Sequence, residues 1–224
     1  MNIAAYIDHT LLKPSIHTTE VEKLCNEAYE YGFAAVCIPP PFVKRCKALL
    51  SPTAVKVATV IGFPFGYSVI EAKLAETVMA IVDGVDELDM VANIAALTHA
   101  DWQYLEKEVG IILEVVRKNN KVLKVIIESG ILPDKDIIRS CELYGKAGVD
   151  FVKTSTGFAE RGATVEAVQL MRKHLPSNVH VKASGGIRTY EFAKQLINAG
   201  ASRLGCSASV AIVSGAPDFS ESNY

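Results

Sequence analysis

The stretch Gly148-Val149-Asp150-Phe151-Val152 is one of four similar segments, each a glycine followed by a short, mainly apolar run. The other three are Gly32-Phe33-Ala34-Ala35-Val36, Gly84-Val85-Asp86-Glu87-Leu88 and Gly200-Ala201-Ser202-Arg203-Leu204. We expect each glycine to end a helix and to turn the chain into the next strand, because glycine tolerates the left-handed conformation found there. The recurrence before every second strand predicts a fold of four quarter units, each made of two β/α pairs.

Strand-length apolar runs alternate with helix-length amphipathic segments. The predicted strands are residues 6–9, 34–38, 55–61, 85–90, 122–128, 149–154, 179–184 and 202–206, and the predicted helices are residues 18–31, 41–50, 69–83, 102–118, 134–147, 164–174, 190–199 and a short one from about 207. Near-continuous apolar strands are typical of a parallel sheet covered by helices. A doubly wound open sheet is an alternative, but eight units in 224 residues favour an α/β, single-domain (β/α)8 TIM barrel. We expect the barrel to occupy residues 1–215 and residues 216–224 to form a flexible C-terminal tail.

Composition restricts the partners and the compartment. The net charge of −2 at pH 7 argues against nucleic acid or an anionic membrane as the main partner. The first eight residues carry neither a basic flank nor a long apolar run, which predicts no signal peptide and no membrane span. The five cysteines form no C-x-x-C pair, so we interpret them as reduced thiols of a cytoplasmic protein, and neither as a disulfide framework nor as a zinc site.

Two lysines, Lys153 and Lys182, end short apolar strands, where an ammonium group is costly to bury. Two cations at neighbouring strand ends can activate one of them as a nucleophile. At a separation of about 6 Å and an effective dielectric constant near 20, the second ammonium costs roughly 3 kcal/mol, which favours a neutral amine at Lys153. A neutral amine attacks a carbonyl to form a Schiff base. The alternative is a structural role, in which one lysine pairs with Asp89 or Glu128.

The glycine repeat also places a carboxylate opposite Lys153. Counting five residues from each repeated glycine gives Cys37, Asp89, Lys153 and Gly205. Alternate strands of a TIM barrel supply one layer of inward side chains, so Asp89 and Lys153 are expected to face each other in the same layer. Asp89 could then transfer protons directly or through a water. Cys37 is interpreted as a small hydrophobic residue and not as a nucleophile.

Small residues and glycines follow the last three predicted strands, where they suit a phosphate site. The candidates are Thr156, Gly157, Gly185, Gly186, Gly205 and Ser207. Glycines let backbone N–H groups approach an anion, and the loops after strands seven and eight, with a short helix, are the usual phosphate site of such barrels. The alternative is that these loops are only tight turns.

Other polar residues receive structural interpretations. The histidines show no metal-ligand spacing, so no metal site is predicted. The charge groups Glu71-Lys73-Glu76 and Glu106-Lys107-Glu108 are interpreted as solvated helix faces.

Six segments resemble the deoxyribose-phosphate aldolase family, in order from about residue 6 to 213. They are Asp8-His9-Thr10-Leu11-Leu12-Lys13-Pro14, Val60-Ile61-Gly62-Phe63-Pro64, Glu87-Leu88-Asp89-Met90-Val91, Lys124-Val125-Ile126-Ile127-Glu128, Val152-Lys153-Thr154-Ser155-Thr156-Gly157-Phe158 and Val181-Lys182-Ala183-Ser184-Gly185-Gly186-Ile187-Arg188. The resemblance implies a class I aldolase on a TIM barrel, with no metal and no cofactor, cytoplasmic and homodimeric. It also implies the reversible cleavage of a small phosphorylated sugar, 2-deoxy-D-ribose 5-phosphate, to D-glyceraldehyde 3-phosphate and acetaldehyde.

The resemblance assigns roles to the candidate residues. It implies that Lys153 forms the Schiff base, that Lys182 perturbs it and that Asp89 transfers protons. The six loop residues named above match the family's substrate and phosphate contacts. Two rival functions are another Schiff-base aldolase with a different phosphorylated donor, and a sugar-phosphate-binding barrel without turnover.

Two residues near the C-terminus bear on the range of substrates. Ala208 stands where the family often has a second serine, so one hydroxyl donor to phosphate is expected to be missing. The terminal Tyr224 is interpreted either as part of a disordered tail or as a phenol that reaches the active site and helps to relay a proton.

Overall fold

Eight parallel strands close into a barrel in the computed structural model, which describes residues 2–215. The strands are β1 (Ile7–Thr10), β2 (Ala35–Ile38), β3 (Lys56–Ile61), β4 (Glu87–Val91), β5 (Val122–Ile126), β6 (Phe151–Lys153), β7 (His180–Ser184) and β8 (Ala201–Cys206). Each strand pairs with the next, and β8 returns to β1 with Leu204 beside Ile7 and Gly205 beside Asp8. The closed TIM barrel is therefore confirmed, and the open-sheet alternative is wrong.

Helices cover the outside of the barrel and follow the predicted pattern. They are α1 (Thr18–Tyr31), α2 (Val43–Leu50), α3 (Ile70–Val82), α4 (Ile94–Thr98), α5 (Trp102–Lys118), α6 (Asp134–Ala147), α7 (Val165–His174), α8 (Tyr190–Asn198) and α9 (Ser209–Ser214). The short α4 was not predicted; the side chain of Asn93 caps it by accepting a hydrogen bond from the Ala96 backbone. No helix within residues 2–215 is both long enough and apolar enough to cross a membrane. The proposed tail, with Tyr224, lies outside the described residues.

The four repeated glycines all lie where a helix gives way to the next strand. Gly32, Gly84, Gly148 and Gly200 have φ angles of +68°, +93°, +77° and +114°. This is the left-handed region, where a side chain would be strained. The predicted role of the repeat is confirmed, and it fixes where β2, β4, β6 and β8 begin.

The barrel interior is divided by polarity. On one side Leu12, Cys37, Ala58 and Val60 form a small buried apolar cluster, separate from the large core between strands and helices. The rest of the interior carries buried charged side chains, described below. Burial raises the pKa of the Cys37 thiol, which agrees with its predicted role as a small hydrophobic residue. All five cysteines are buried and free.

One prediction about the helix surfaces is wrong, because Lys73 of α3 and Glu108 of α5 are fully buried. Lys73 Nζ donates to Glu108 Oε1 at 2.6 Å and to the backbone carbonyl of Val91 at 2.7 Å. Burial lowers the pKa of Lys73 and raises the pKa of Glu108 in spite of their mutual attraction. The ion pair therefore connects α3 and α5 with the carboxyl end of β4.

Replacing Lys73 with Met should lower the free energy of unfolding by about 3–5 kcal/mol, because it leaves the Glu108 carboxylate buried without its cation. Urea titration of the variant measures this directly. The double variant Lys73→Met/Glu108→Leu is the matched control, since an apolar pair of similar volume should recover most of the loss. Equal stabilities of wild type and Lys73→Met would contradict the assignment.

Candidate active site

Asp89 lies at the centre of the charged interior and accepts hydrogen bonds from three lysines. Lys124 Nζ donates to Asp89 Oδ1 at 2.7 Å. Lys153 and Lys182 both donate to Oδ2, at 2.8 and 2.7 Å. The predicted proximity of Asp89 and Lys153 is therefore confirmed, and the structure brings Lys182 to the same oxygen atom. Burial alone would raise the pKa of Asp89, but Lys124, Lys153 and Lys182 outweigh it and hold that pKa well below its usual range.

Lys182 is held between two carboxylates. Besides Asp89, it makes a short contact with Asp8 Oδ2 from β1, and both carboxyl groups are fully buried. Burial alone would lower the pKa of Lys182, but Asp8 and Asp89 together raise it. Burial would likewise raise the pKa of Asp8, whereas Lys182 and Arg203 lower it to about 2. Lys182 is therefore an ammonium group, and Asp8 a carboxylate, at neutral pH.

Two further ion pairs complete this cluster, which we call the interior charge network. Arg203 Nε of β8 donates to Asp8 Oδ1 at 2.7 Å, and its Nη1 donates to Glu87 Oε1 at 3.2 Å. Lys124 Nζ lies 2.6 Å from Glu87 Oε2. The network thus contains three carboxylates and four basic side chains, which are Asp8, Glu87, Asp89, Lys124, Lys153, Lys182 and Arg203.

The network contains one basic side chain more than it contains carboxylates. Lys124, Lys182 and Arg203 alone balance the three carboxylates, so an ammonium at Lys153 would leave one buried positive charge in excess. Such an excess is costly in an environment of low dielectric constant. Sequence reasoning considered only Lys182 as the charge near Lys153, whereas the structure places both residues in one network of seven charged side chains.

Sequence reasoning missed four members of the network. Lys124 is a lysine inside an apolar strand, the same signal that identified Lys153 and Lys182. Glu87 lies two residues before Asp89 and therefore points to the same side of β4. Asp8 and Arg203 belong to β1 and β8, and only closure of the barrel brings them together.

A cavity of about 530 Å³ opens at the carboxyl ends of β6, β7 and β8. Lys153 lines it, together with all six predicted loop residues: Thr156, Gly157, Gly185, Gly186, Gly205 and Ser207. Asp89 and Lys182 are fully buried within the barrel. Asp89 accepts a hydrogen bond from Lys153, and Lys182 donates to the same oxygen atom of Asp89. Arg188, which sequence reasoning assigned no role, also lines the cavity and supplies a cation there. The predicted residues therefore share one site.

Three glycines of this cavity adopt left-handed conformations, in which a side chain would be strained. Gly157, Gly185 and Gly186 have φ angles of +91°, +86° and +75°. A Cβ atom at Gly157 or Gly186 would meet no heavy atom within 4 Å, so open space lies beside both. Gly185 instead packs on the neighbouring loop, because a Cβ atom at Gly162 would lie 2.3 Å from the Gly185 carbonyl oxygen. These glycines bring the loops after β6 and β7 into direct backbone contact.

Thr156 lines this cavity, whereas Ala208 is not among its lining residues. Both the backbone N–H and the hydroxyl of Thr156 donate to the Glu128 carboxylate, a partner that sequence reasoning did not assign to it. Ala208 precedes α9 and packs against the large core, while Ser207 lines the cavity.

Within residues 2–215, no group of three or more His, Cys, Asp or Glu side chains is arranged to hold a metal ion.

Comparison with known proteins points to one family. The family described as DeoC/LacD family aldolase matches residues 2–215. A deoxyribose-phosphate aldolase of Caldanaerobacter subterraneus is 53% identical over 214 residues, which cover 95% of this chain and 93% of that protein. A deoxyribose-phosphate aldolase of Thermococcus kodakarensis is 50% identical over 218 residues, covering 96% of this chain and 97% of the relative.

Solved structures agree with these relatives. The deoxyribose phosphate aldolase of Aeropyrum pernix, described as a tetramer, superimposes with a TM-score of 0.89 at 33% identity and covers 95% of this chain and 90% of its own. An aldolase called QR15 superimposes with a TM-score of 0.90 at 38% identity and covers 95% of both chains.

Proposed function

The chain belongs to the DeoC/LacD family of aldolases, and from that premise we propose that it cleaves 2-deoxy-D-ribose 5-phosphate reversibly to D-glyceraldehyde 3-phosphate and acetaldehyde. The observation that carries the proposal is the position of Lys153. It lines the cavity, and the rest of the interior charge network is already balanced without it. The proposal includes no metal and no cofactor.

In the proposed reaction the Lys153 amine attacks C1 of the open-chain sugar, and loss of water gives a protonated imine. The C3 hydroxyl then gives up its proton and the C2–C3 bond breaks, which releases D-glyceraldehyde 3-phosphate. The bonding electrons pass to the imine, so an enamine of acetaldehyde remains on Lys153. Protonation at C2 and addition of water release acetaldehyde and restore the amine.

The other network residues support these steps. The positive charge that forms on the Lys153 imine lies beside Asp89, whose carboxylate stabilises it. Because the low pKa of Asp89 keeps it ionised, we propose that it holds a proton only in transit between a lysine and a water. Lys182 acts through its fixed charge. The phosphate is proposed to bind at the end of the cavity that is lined by five loop residues, Gly185, Gly186, Arg188, Gly205 and Ser207.

We also propose a cytoplasmic location and assembly into a homodimer. The buried free cysteines suit a reducing compartment. The tetrameric relative from Aeropyrum pernix supports self-association as a property within the family. Light scattering of the purified chain measures the oligomeric state.

Reduction with borohydride in the presence of acetaldehyde tests the proposed function. An imine should be reduced to a stable secondary amine, and mass spectrometry should find one ethyl group on the peptide that contains Lys153. An adduct formed with a phosphorylated ketone but not with acetaldehyde would support the rival aldolase. Tight binding of 2-deoxy-D-ribose 5-phosphate without any adduct would support a binding protein without turnover.

A further inference from the structure

The hydroxyl of Thr156 is held by two hydrogen bonds that commit its single proton. Thr156 Oγ1 makes a short hydrogen bond to Glu128 Oε2, and it accepts the backbone N–H of Phe158 at 3.0 Å. A carboxylate can only accept, so the proton of this hydroxyl points toward Glu128. A threonine oxygen has two acceptor lone pairs, and one of them remains available.

Glu128 is shaped for this contact. It has a φ of +52°, in the left-handed region that residues other than glycine seldom adopt, and its side chain is buried. Oε2 also accepts the Thr156 backbone N–H at 3.2 Å, so one carboxylate holds the backbone and the hydroxyl of the same residue. The next residue is fixed as well, because Ser129 N donates to the Thr154 carbonyl at 2.7 Å.

This geometry decides which substrate groups can bind to Thr156. A phosphate oxygen accepts hydrogen bonds, and it would meet another acceptor at Thr156. A sugar hydroxyl can donate to the free lone pair. The substrate proposed above is attached at C1 to Lys153 and carries its phosphate at C5, so its hydroxyl groups lie between the two ends. The C3 hydroxyl gives up its proton in the proposed reaction, so the C4 hydroxyl is the one that can donate to Thr156. Thr156 lies three residues beyond Lys153 and lines the same cavity.

We propose that Glu128 is a positioning residue that makes Thr156 a hydrogen-bond acceptor, so that the loop after β6 selects a substrate hydroxyl and the loops after β7 and β8 take the phosphate. The proposal rests on the proposed function, since it assumes that substrate. Sequence reasoning left open whether Thr156 contacts the phosphate or another part of the substrate. According to this proposal, Thr156 contacts a substrate hydroxyl and not the phosphate.

The test compares two acceptor aldehydes in the addition of acetaldehyde. They are D-glyceraldehyde 3-phosphate and the same molecule without its 2-hydroxyl, 3-phosphooxypropanal. Both carry the phosphate, so the ratio of their kcat/KM values measures recognition of the hydroxyl. Thr156→Val removes the acceptor and should lower this ratio by up to about tenfold, the value of one neutral hydrogen bond. Thr156→Ser keeps a hydroxyl and should retain the ratio.

Two variants of Glu128 distinguish its effect on the orientation of the Thr156 hydroxyl from the effect of its negative charge. Glu128→Met leaves the Thr156 oxygen in place but no longer fixes its proton, so it should lower the ratio by less than Thr156→Val does. In the double variant it should add nothing to the loss caused by Thr156→Val. Glu128→Gln keeps an acceptor oxygen without the negative charge, so its ratio should stay close to the wild-type value. Equal loss with both aldehydes in Glu128→Met would overturn the proposal, and so would an unchanged ratio in Thr156→Val.

Trapping of the acetaldehyde imine distinguishes this proposal from the proposed function. That step involves no acceptor aldehyde, so every variant should still form the adduct. Absence of the adduct in the wild type would refute the proposed function. Normal trapping, together with an unchanged ratio of kcat/KM values in Thr156→Val and Glu128→Met, would refute only the proposed roles of Thr156 and Glu128.

Discussion

Replacing Lys153 with Met should abolish both turnover and the borohydride-trapped adduct. Met has nearly the same length, but it has no amine, so no imine can form. Folding should survive, because the six remaining charges of the interior network are three carboxylates and three cations. Mass spectrometry of the reduced protein and a coupled assay for D-glyceraldehyde 3-phosphate measure the two losses.

Lys146→Met is the matched control for this experiment. Lys146 lies on α6 with an 84% exposed side chain, far less buried than Lys153. Its variant should keep both the adduct and the activity. An ethyl adduct on Lys182 in the wild-type enzyme would instead show that the nucleophile has been assigned to the wrong lysine.

Replacing Lys182 with Met should impair both stability and activity. It leaves Asp8 and Asp89 without their shared cation, which is expected to lower the free energy of unfolding by about 3–5 kcal/mol. The network then needs the ammonium form of Lys153 for balance. One charge interaction of roughly 3 kcal/mol therefore acts against the neutral amine and should slow imine formation about a hundredfold at pH 7. Urea titration measures the first effect, and the pH dependence of single-turnover imine formation measures the second.

The double variant Lys182→Met/Asp8→Asn serves as the control for charge balance. It removes one charge of each sign, so imine formation should recover part of its rate relative to Lys182→Met alone. If the single variant formed the imine at the wild-type rate and with the wild-type pH profile, the charge network would have no influence on Lys153.

The sequence predicts the strands and helices well because the glycine repeat and the apolar runs are local signals. The start and end of α1, α5 and α6 agree with the prediction to the residue. The position of Asp89 opposite Lys153 also follows from local counting, since equivalent positions of the repeat share one layer of the barrel. Closure itself is a non-local event, and the partners of Lys182 depend on it: Asp8 is 174 residues away.

The error at Lys73 and Glu108 has a different origin. Alternating charges on a helix usually indicate a solvated face, but here Lys73 and Glu108 pair with each other inside the protein. The spacing contained the correct signal. Lys73 shares its face with the buried Thr77 and Ala80, and Glu108 with the buried Leu105 and Ile112. The hydrogen bond from Thr156 to Glu128 left no comparable pattern, because the two residues follow different strands and lie 28 positions apart in the sequence.

The interior charge network divides the chain into two oppositely charged halves. Its three carboxylates, Asp8, Glu87 and Asp89, all precede residue 119, and its four basic residues, Lys124, Lys153, Lys182 and Arg203, all follow residue 121. Two copies of either half-barrel would bring like charges together if they closed on each other. One copy of each half neutralises the other. The network charges are therefore complementary between the two unlike halves of the barrel, and not between two copies of the same half.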